Sequence, residues 1–300
     1  MDEFRGRQTV RAGSLITTVF GDAIAPRGGT VWLGSLIRVL ADFGVSERLV
    51  RTSVFRLVKD GWLQTRQEGR RSFYSITAEG RQRFEIATHR IYSTPTADWD
   101  GRWTLRLLGG LETAEKELAR REFGWLGFGA LSANVLAHPA PDDTDIRLTL
   151  ERLGLADRLA VIRGETVGSD KAITANAHTA WNLEDIDQRY RRFVDMFRVP
   201  LRATGKGGAP SPREAFQLRT LLIQEYRKVL LRDPRLPADL LPVDWHGHEA
   251  YQLCGNLYRH IAMAADDWLS EALETEHGPL PKNDAAFYRR FGGLEQKGDR

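Results

Sequence analysis

The stretch that most limits what this chain can fold into is SERLVRTSVFRLVKD at 46–60, stopped by Gly61 and followed by WLQTRQEGRRSFYSIT at 62–77. Ser46 followed by Glu47 is a helix start, because a serine oxygen caps an orphan amide and an acidic residue suits the positive helix end. Laid out at a helical period, Leu49, Val50, Ser53, Val54, Leu57 and Val58 fall on one half. Arg48, Arg51, Thr52, Phe55, Arg56 and Lys59 fall on the other. The next segment alternates apolar and polar residues on either side of Glu68 and Gly69, the pattern of a β-hairpin running out over 62–66 and back over 71–76. Its tip carries Arg66, Arg70 and Arg71. Because the side-chain period of a strand is two, Ser72 and Tyr74 share one face, and Arg71 and Phe73 the other.

Upstream, SLITTVFGDAI at 14–24 has a helical apolar stripe with Ser14 as its expected N-cap. The loop APRGGTV follows, then a second helix over 32–43 that Gly44 ends. A further helix over 78–91 and a linker over 93–101 complete the unit. The order of three helices, hairpin and helix over 1–92 predicts a winged helix-turn-helix. Charge agrees with that reading. Residues 1–92 hold 15 Lys and Arg against 9 Asp and Glu, whereas the remainder holds 28 against 31. A polyanion is the expected partner of the first third. An arginine can bond guanine bidentately in the major groove, so Arg48, Arg51 and Thr52 near the helix start are the expected base readers. Arg56 and Lys59 are expected to hold phosphates, as are Arg66, Arg70 and Arg71 on the wing and Arg27 in APRGG. Ser46 belongs to this set as the cap, and Phe55 either touches DNA or packs on the wing, with packing favoured.

From Trp103 onward the pattern changes to strand, helix, two short strands, helix, strand over 102–178. That βαββαβ order predicts a ferredoxin-like domain and a plausible dimerisation element. Residues 179–300 read as a mostly helical C-terminal domain, with long amphipathic helices and a Pro-rich interruption after Asp233. The fold class is therefore α+β. At 300 residues the chain suits two or three domains. One cysteine, Cys254, excludes an internal disulfide and fits a buried structural thiol. No apolar run reaches membrane-spanning length and the N-terminus has no hydrophobic signal core, which predicts a cytoplasmic protein. His246, His248, Glu249 and His260 lack the spacing of a metal site, so no metal is expected. The Gly-rich pieces APRGG and GKGGAP lack nucleotide-binding spacing.

At this point a resemblance becomes specific. VFGDAIAPRGGTVWLGSLIRVLADFGVSERLVRTSVFRLVKDGWL, followed by EGRRSFYSITAEG, resembles the PaaX family of bacterial transcriptional repressors. WDGRWTLRLL, GWLGFGALSANV, WNLEDIDQRY and YRKVLLRDPRLPADLLPVDW resemble its central and C-terminal segments, so the likeness runs from about 14 to 258. One departure is His246, which stands where the family pattern has proline. The resemblance implies a homodimeric repressor of aromatic-acid catabolism, best known for phenylacetate, that binds a near-palindromic double-stranded operator. It also implies release by phenylacetyl-CoA or a related aryl-CoA, with no other cofactor. An aryl-CoA needs an aromatic slot and basic residues for its phosphates. Trp125, Phe128, Trp181, Tyr190 and Trp245 can line a slot, and Arg189, Arg191, Arg192, Arg227 and Arg232 can meet phosphates. For each of these, a place in the core or on the solvated surface is the commoner fate. The rival class is an enzyme, either a metal-dependent nuclease of the Cas2 type or a CoA-thioester hydrolase. The nuclease needs a carboxylate at the end of the first central strand, and that strand runs into Gly109 and Gly110 instead.

Overall fold

In the computed structural model the described residues are 12–93, 99–139, 143–167, 170–205 and 208–294. Most of the predicted linker, residues 94–98, lies outside them. The chain begins with α1 (Ala12–Val19), which passes through a π-helical turn, Phe20–Ile24, into a 3-10 turn, Ala25–Arg27. Then follow β1 (Thr30–Trp32), α2 (Leu33–Ala41), α3 (Glu47–Lys59), β2 (Leu63–Glu68), β3 (Arg71–Ile76) and α4 (Ala78–Tyr92). The three strands form one antiparallel sheet in the order β1-β3-β2. Leu15, Ile16 and Val19 of α1, Leu36, Val39 and Leu40 of α2, and Val50 and Val54 of α3 are buried, each set at helical spacing. Ser14 is not the cap expected of it, since the chain is already helical at Ala12. Its Oγ instead accepts hydrogen bonds from Gln224 and Arg227.

The middle of the chain contains β4 (Arg102–Leu107), α5 (Thr113–Trp125), β5 (Gly129–Ser132), β6 (Val135–His138), α6 (Asp143–Leu153) and β7 (Val161–Glu165). Its antiparallel sheet has the order β5-β6-β4-β7. Leu108, Phe123, Phe128, Leu136, Ile146 and Leu150 form its core. A helix the sequence did not announce, α7 (Asp170–Ala180), comes next. Trp181 follows it, and the indole donates to the Gly127 carbonyl at 2.7 Å and lies 6.2 Å from the Trp103 ring. Arg106 of β4 is fully buried, with its guanidinium 5.3 Å from the Phe123 ring and 5.9 Å from Phe128. Burial, and secondarily the charge of Arg163, lowers its pKa to about 10.

The last third holds α8 (Leu183–Gly205), α9 (Pro212–Leu230), α10 (Gly247–Ala272), the short hairpin β8 (Glu274–Thr275) and β9 (Gly278–Pro279), and α11 (Ala285–Tyr288). By packing, the chain divides into two compact units. One compact unit comprises residues 1–94, 193–230 and 249–300; the other comprises 95–192 and 231–248. The reason is visible at Asp22, in the FGD motif of the π-helical turn. Its carboxylate is buried and accepts hydrogen bonds from Tyr92 (2.7 Å), Tyr258 (2.8 Å), Arg219 (2.8 Å) and Arg290 (3.0 Å). Arg219 also reaches Asp266 at 3.3 Å. Burial alone would raise the Asp22 pKa, but Arg219 and Arg290 outweigh it and hold the carboxyl below the usual range. The neighbouring Gly21 is closely approached: a Cβ there would meet the Phe84 ring at 3.0 Å, so the ring would have to shift. A buried carboxylate that needs two distant guanidiniums cannot be satisfied by residues 12–93 alone, so α9, which carries Arg219, and the turn Arg290–Gly292 pack onto that segment.

Candidate nucleic-acid interface

The outward face of α3 is built from its cap upward. Ser46 Oγ accepts from the Leu49 amide at 3.4 Å and fixes the first turn. Val50 and Val54 are fully buried, while Ser53, Leu57 and Val58 are half-buried. The opposite side leaves Arg48, Arg51, Thr52, Phe55, Arg56 and Lys59 exposed. Two expectations change here. Leu49 is 51% exposed rather than packed, because it lies about 120° round the helix from the midpoint of Val50 and Val54. Phe55 is 67% exposed rather than buried, which leaves a large apolar ring in the middle of the basic face. Arg51 is held by Glu47 one turn earlier, with Nε to Oε1 at 2.8 Å. The Thr52 hydroxyl donates to the Arg48 carbonyl. Arg48, Arg56 and Lys59 make no ion pair among the described residues.

The hairpin beside it turns at Gly69 and Arg70, with Glu68 opposite Arg71. Gly69 has φ +57° and Arg70 does not share the left-handed region. A positive φ at the first central position alone favours glycine there. Phe73 is buried, so its face turns to the core and carries Arg71 with it. Tyr74 and Ser72 lie on the other face and are half-buried. Arg71 therefore leaves the tip: its guanidinium lies 4.4 Å from the Trp32 ring and 3.3 Å from Glu274. Arg66 meets Glu276 at 3.2 Å and Glu68 at 3.6 Å. Of the three wing arginines only Arg70 is exposed without an ion pair among the described residues. The expected phosphate contact of Arg27 is corrected outright. Its side chain is 3% exposed, bonded to Asp266 at 2.7 Å and to the Pro281 carbonyl at 2.9 Å. Sequence reasoning missed Arg38, Trp32, Glu274 and Glu276. LETEHGPL is visible as an acidic turn, but nothing in the sequence says what it lies against.

The ten residues considered for an aryl-CoA are divided between the two compact units. Phe128 is part of the sheet–helix core. Tyr190 is buried, donates to Asp233 at 2.6 Å and meets the Trp245 ring edge-on at 5.6 Å. Trp181 is tied to Gly127, and the side chain of Trp125 lies outside the described residues. Arg191 pairs with Asp187 at 2.9 Å, and Arg232 is exposed. Arg227 belongs to the other compact unit, where burial lowers its pKa and Ser14 accepts its hydrogen bond at 2.9 Å. Of the further arginines, Arg189 is matched by Asp185 at 2.7 Å, and Arg192 is exposed. A cavity of about 520 Å³ beside Arg191 is also lined by Glu184, Asp187 and Asp244, an acidic rim that disfavours phosphates. At its side, the His246 backbone N–H donates to Asp187 at 2.8 Å, a bond that proline at this position could not make.

Among the described residues no group of three or more His, Cys, Asp or Glu is arranged to hold a metal, and no helix is long and apolar enough to cross a membrane. Cys254 is buried, which pushes its thiol pKa up.

Three family models match in succession: PaaX-like protein over 11–80, the PaaX protein central Cas2-like domain over 96–175, and the PaaX-like protein C-terminal domain over 181–271. The transcriptional repressor PaaX of Escherichia coli K12 is 39% identical over 289 residues, covering 95% of this chain and 91% of that protein. A solved structure of an uncharacterised protein from Mycobacterium tuberculosis is similar in fold, with TM-score 0.51 and 23% identity, over 78% of this chain and 89% of that one. The match of three consecutive models and the extent of the bacterial relative place this chain in the PaaX family.

Proposed function

We propose that this protein is a DNA-binding transcriptional repressor in the cytoplasm, working on an aromatic-acid catabolic operon such as that for phenylacetate. In this reading residues 12–93 act as a winged helix-turn-helix, with α3 entering the major groove and Arg70 at the wing tip beside it. The observation that carries the reading is the outer face of α3: Arg48, Thr52, Arg56 and Lys59 stand exposed on a helix whose inner face is locked by Val50 and Val54. Such a face is rigid on one side and cationic on the other, which is what groove binding asks of a helix. The relative's printed name, transcriptional repressor, supports the same assignment. The unit built on β4–β7 acts as a ferredoxin-like dimerisation element, so that two copies of α3 meet two half-sites about 34–36 Å apart.

The inducer in this proposal is an aryl-CoA thioester, phenylacetyl-CoA first among them. It acts by binding one arrangement of the dimer better than the DNA-bound one. The test is a gel shift with duplex DNA from upstream of the genes adjoining the repressor gene. The full chain should shift that DNA at nanomolar concentration against excess unrelated competitor. Phenylacetyl-CoA should release it and free phenylacetate should not. Equal retention of unrelated DNA would remove the repressor assignment, and equal potency of acid and thioester would remove the thioester.

A further inference from the structure

The proposed interface contains a feature that a binding surface for a polyanion does not need: three carboxylates set against its arginines. Glu274 accepts from Arg38 at 2.7 Å through one oxygen and from Arg71 at 3.3 Å through the other. Both guanidiniums lie over the Trp32 ring, at 5.0 and 4.4 Å from its centre. Glu276 meets Arg66 at 3.2 Å, with Glu68 at 3.6 Å from the same guanidinium. Three cations thus face three carboxylates, and two of the carboxylates come from about two hundred residues away.

The hairpin that delivers them is a built element. Leu273 and Leu280 at its two ends are buried, as is Thr275 between them. The Glu274 amide donates to Ser35 Oγ at 3.2 Å, which ties the hairpin to α2. Inside the turn, the Thr275 hydroxyl donates to the Gly278 carbonyl, and the His277 amide donates to Thr275 Oγ1. The position of both glutamates is therefore fixed by the fold. The arginine side chains remain 54–57% exposed, so an incoming phosphate can reach them. Exposed ion pairs of this kind add little to the stability of a fold, so stability does not account for the arrangement. Their electrostatic effect on a phosphate backbone is larger, because each carboxylate cancels a counter-charge and repels the phosphate that replaces it.

We propose that the β8–β9 hairpin is an acidic brake on nucleic-acid binding, in which Glu274 and Glu276 occupy the places of backbone phosphates at Arg38, Arg71 and Arg66. The proposal rests on the reading that this face meets DNA. Binding requires either that phosphates displace the two carboxylates or that they sit beside them, and both cost affinity. The arginines of the wing then contribute less than their number predicts, and specificity falls more heavily on α3.

The test compares the full-length protein with its Glu274→Gln/Glu276→Gln variant by fluorescence anisotropy on duplex DNA over a series of KCl concentrations. The amide keeps the side-chain shape and removes the charge. The variant should bind about tenfold more tightly at low salt, with a slope of log K against log salt steeper by roughly one to two. Unchanged or weaker binding by the folded variant overturns the brake. Arg70→Ala, measured alongside, separates the two ideas. If it weakens binding while the glutamate variant leaves binding unchanged, the brake falls and the DNA reading stands. If neither alters binding, both fall. Should the double variant unfold, Glu276→Gln alone serves, since the ion pairs of its side chain among the described residues are with Arg66 and the exposed His277. It should shift affinity in the same direction by a smaller factor, and no shift overturns the proposal.

Discussion

Two groups of arginines in the same compact unit are put to opposite uses. Arg27, Arg219 and Arg290 are buried and surround Asp22 and Asp266. Arg48, Arg56 and Arg70 are exposed and make no ion pair among the described residues. Both groups raise the charge count of the chain equally, yet only the second can meet a phosphate backbone. The difference lies in the field each guanidinium meets. A buried cation without a counter-charge is costly, so the inner arginines are matched by carboxylates and hydroxyls. An exposed cation on a helix face is solvated at no such cost and stays available.

The inner group gives the largest expected effect. Asp22→Asn would leave Arg219 and Arg290 facing a neutral amide in a dry site, and should cost about 3–5 kcal/mol of stability in urea unfolding. A loss below about 1 kcal/mol would mean that the inner group does not depend on charge pairing. Because the Asp22 pKa is held below its unfolded value, its contribution is complete above the ordinary carboxylate pKa of about 3.9. That contribution is lost as pH falls below there through the lower folded value. Acid unfolding monitored by circular dichroism should therefore start at higher pH once Arg219 is replaced by Met, since the carboxyl then keeps a weaker counter-charge.

The outer group can be broken more gently, by comparing neighbours on α3. Val54→Ala removes buried methyls and should cost about 2 kcal/mol of stability. Phe55→Ala, one residue on, should change stability by less than about 0.5 kcal/mol, while lowering affinity for operator DNA measured by anisotropy. Equal stability losses would show that the Phe55 ring packs after all.

How much of this was legible in the sequence follows the same division. The helix over 46–60 is local: Ser46 caps it, Gly61 ends it, and Val50 and Val54 mark its inner face, so its outer residues, Leu49 excepted, can be read directly. The hairpin could be read for the same reason, down to the pairing of Arg71 with Phe73 on one face. Arg27 could not. It sits beside two glycines and reads as a loop cation, and only Asp266, more than two hundred residues later, shows it to be buried. Arg66 and Arg71 fail in the same way, because their partners Glu274 and Glu276 belong to a turn with no sequence link to the wing. The domain division was hidden by the same kind of distance. Nothing in FGD states that its aspartate needs Arg219 and Arg290, and so nothing states that C-terminal helices complete the N-terminal fold. The effector residues were the least legible, since bulky aromatics such as Phe128 and Tyr190 fill cores by default.

The central claim is that the outer face of α3 reads and holds DNA, and two substitutions on that face test it most directly. Binding to operator and unrelated duplexes should be measured over a salt series for Arg51→Ala and for Lys59→Ala. Arg51→Ala should lose about 1–3 kcal/mol of discrimination between the two duplexes. Lys59→Ala should weaken both equally and reduce the salt slope by about one. If both variants keep the wild-type affinity, discrimination and salt slope, α3 does not touch DNA and the account is contradicted.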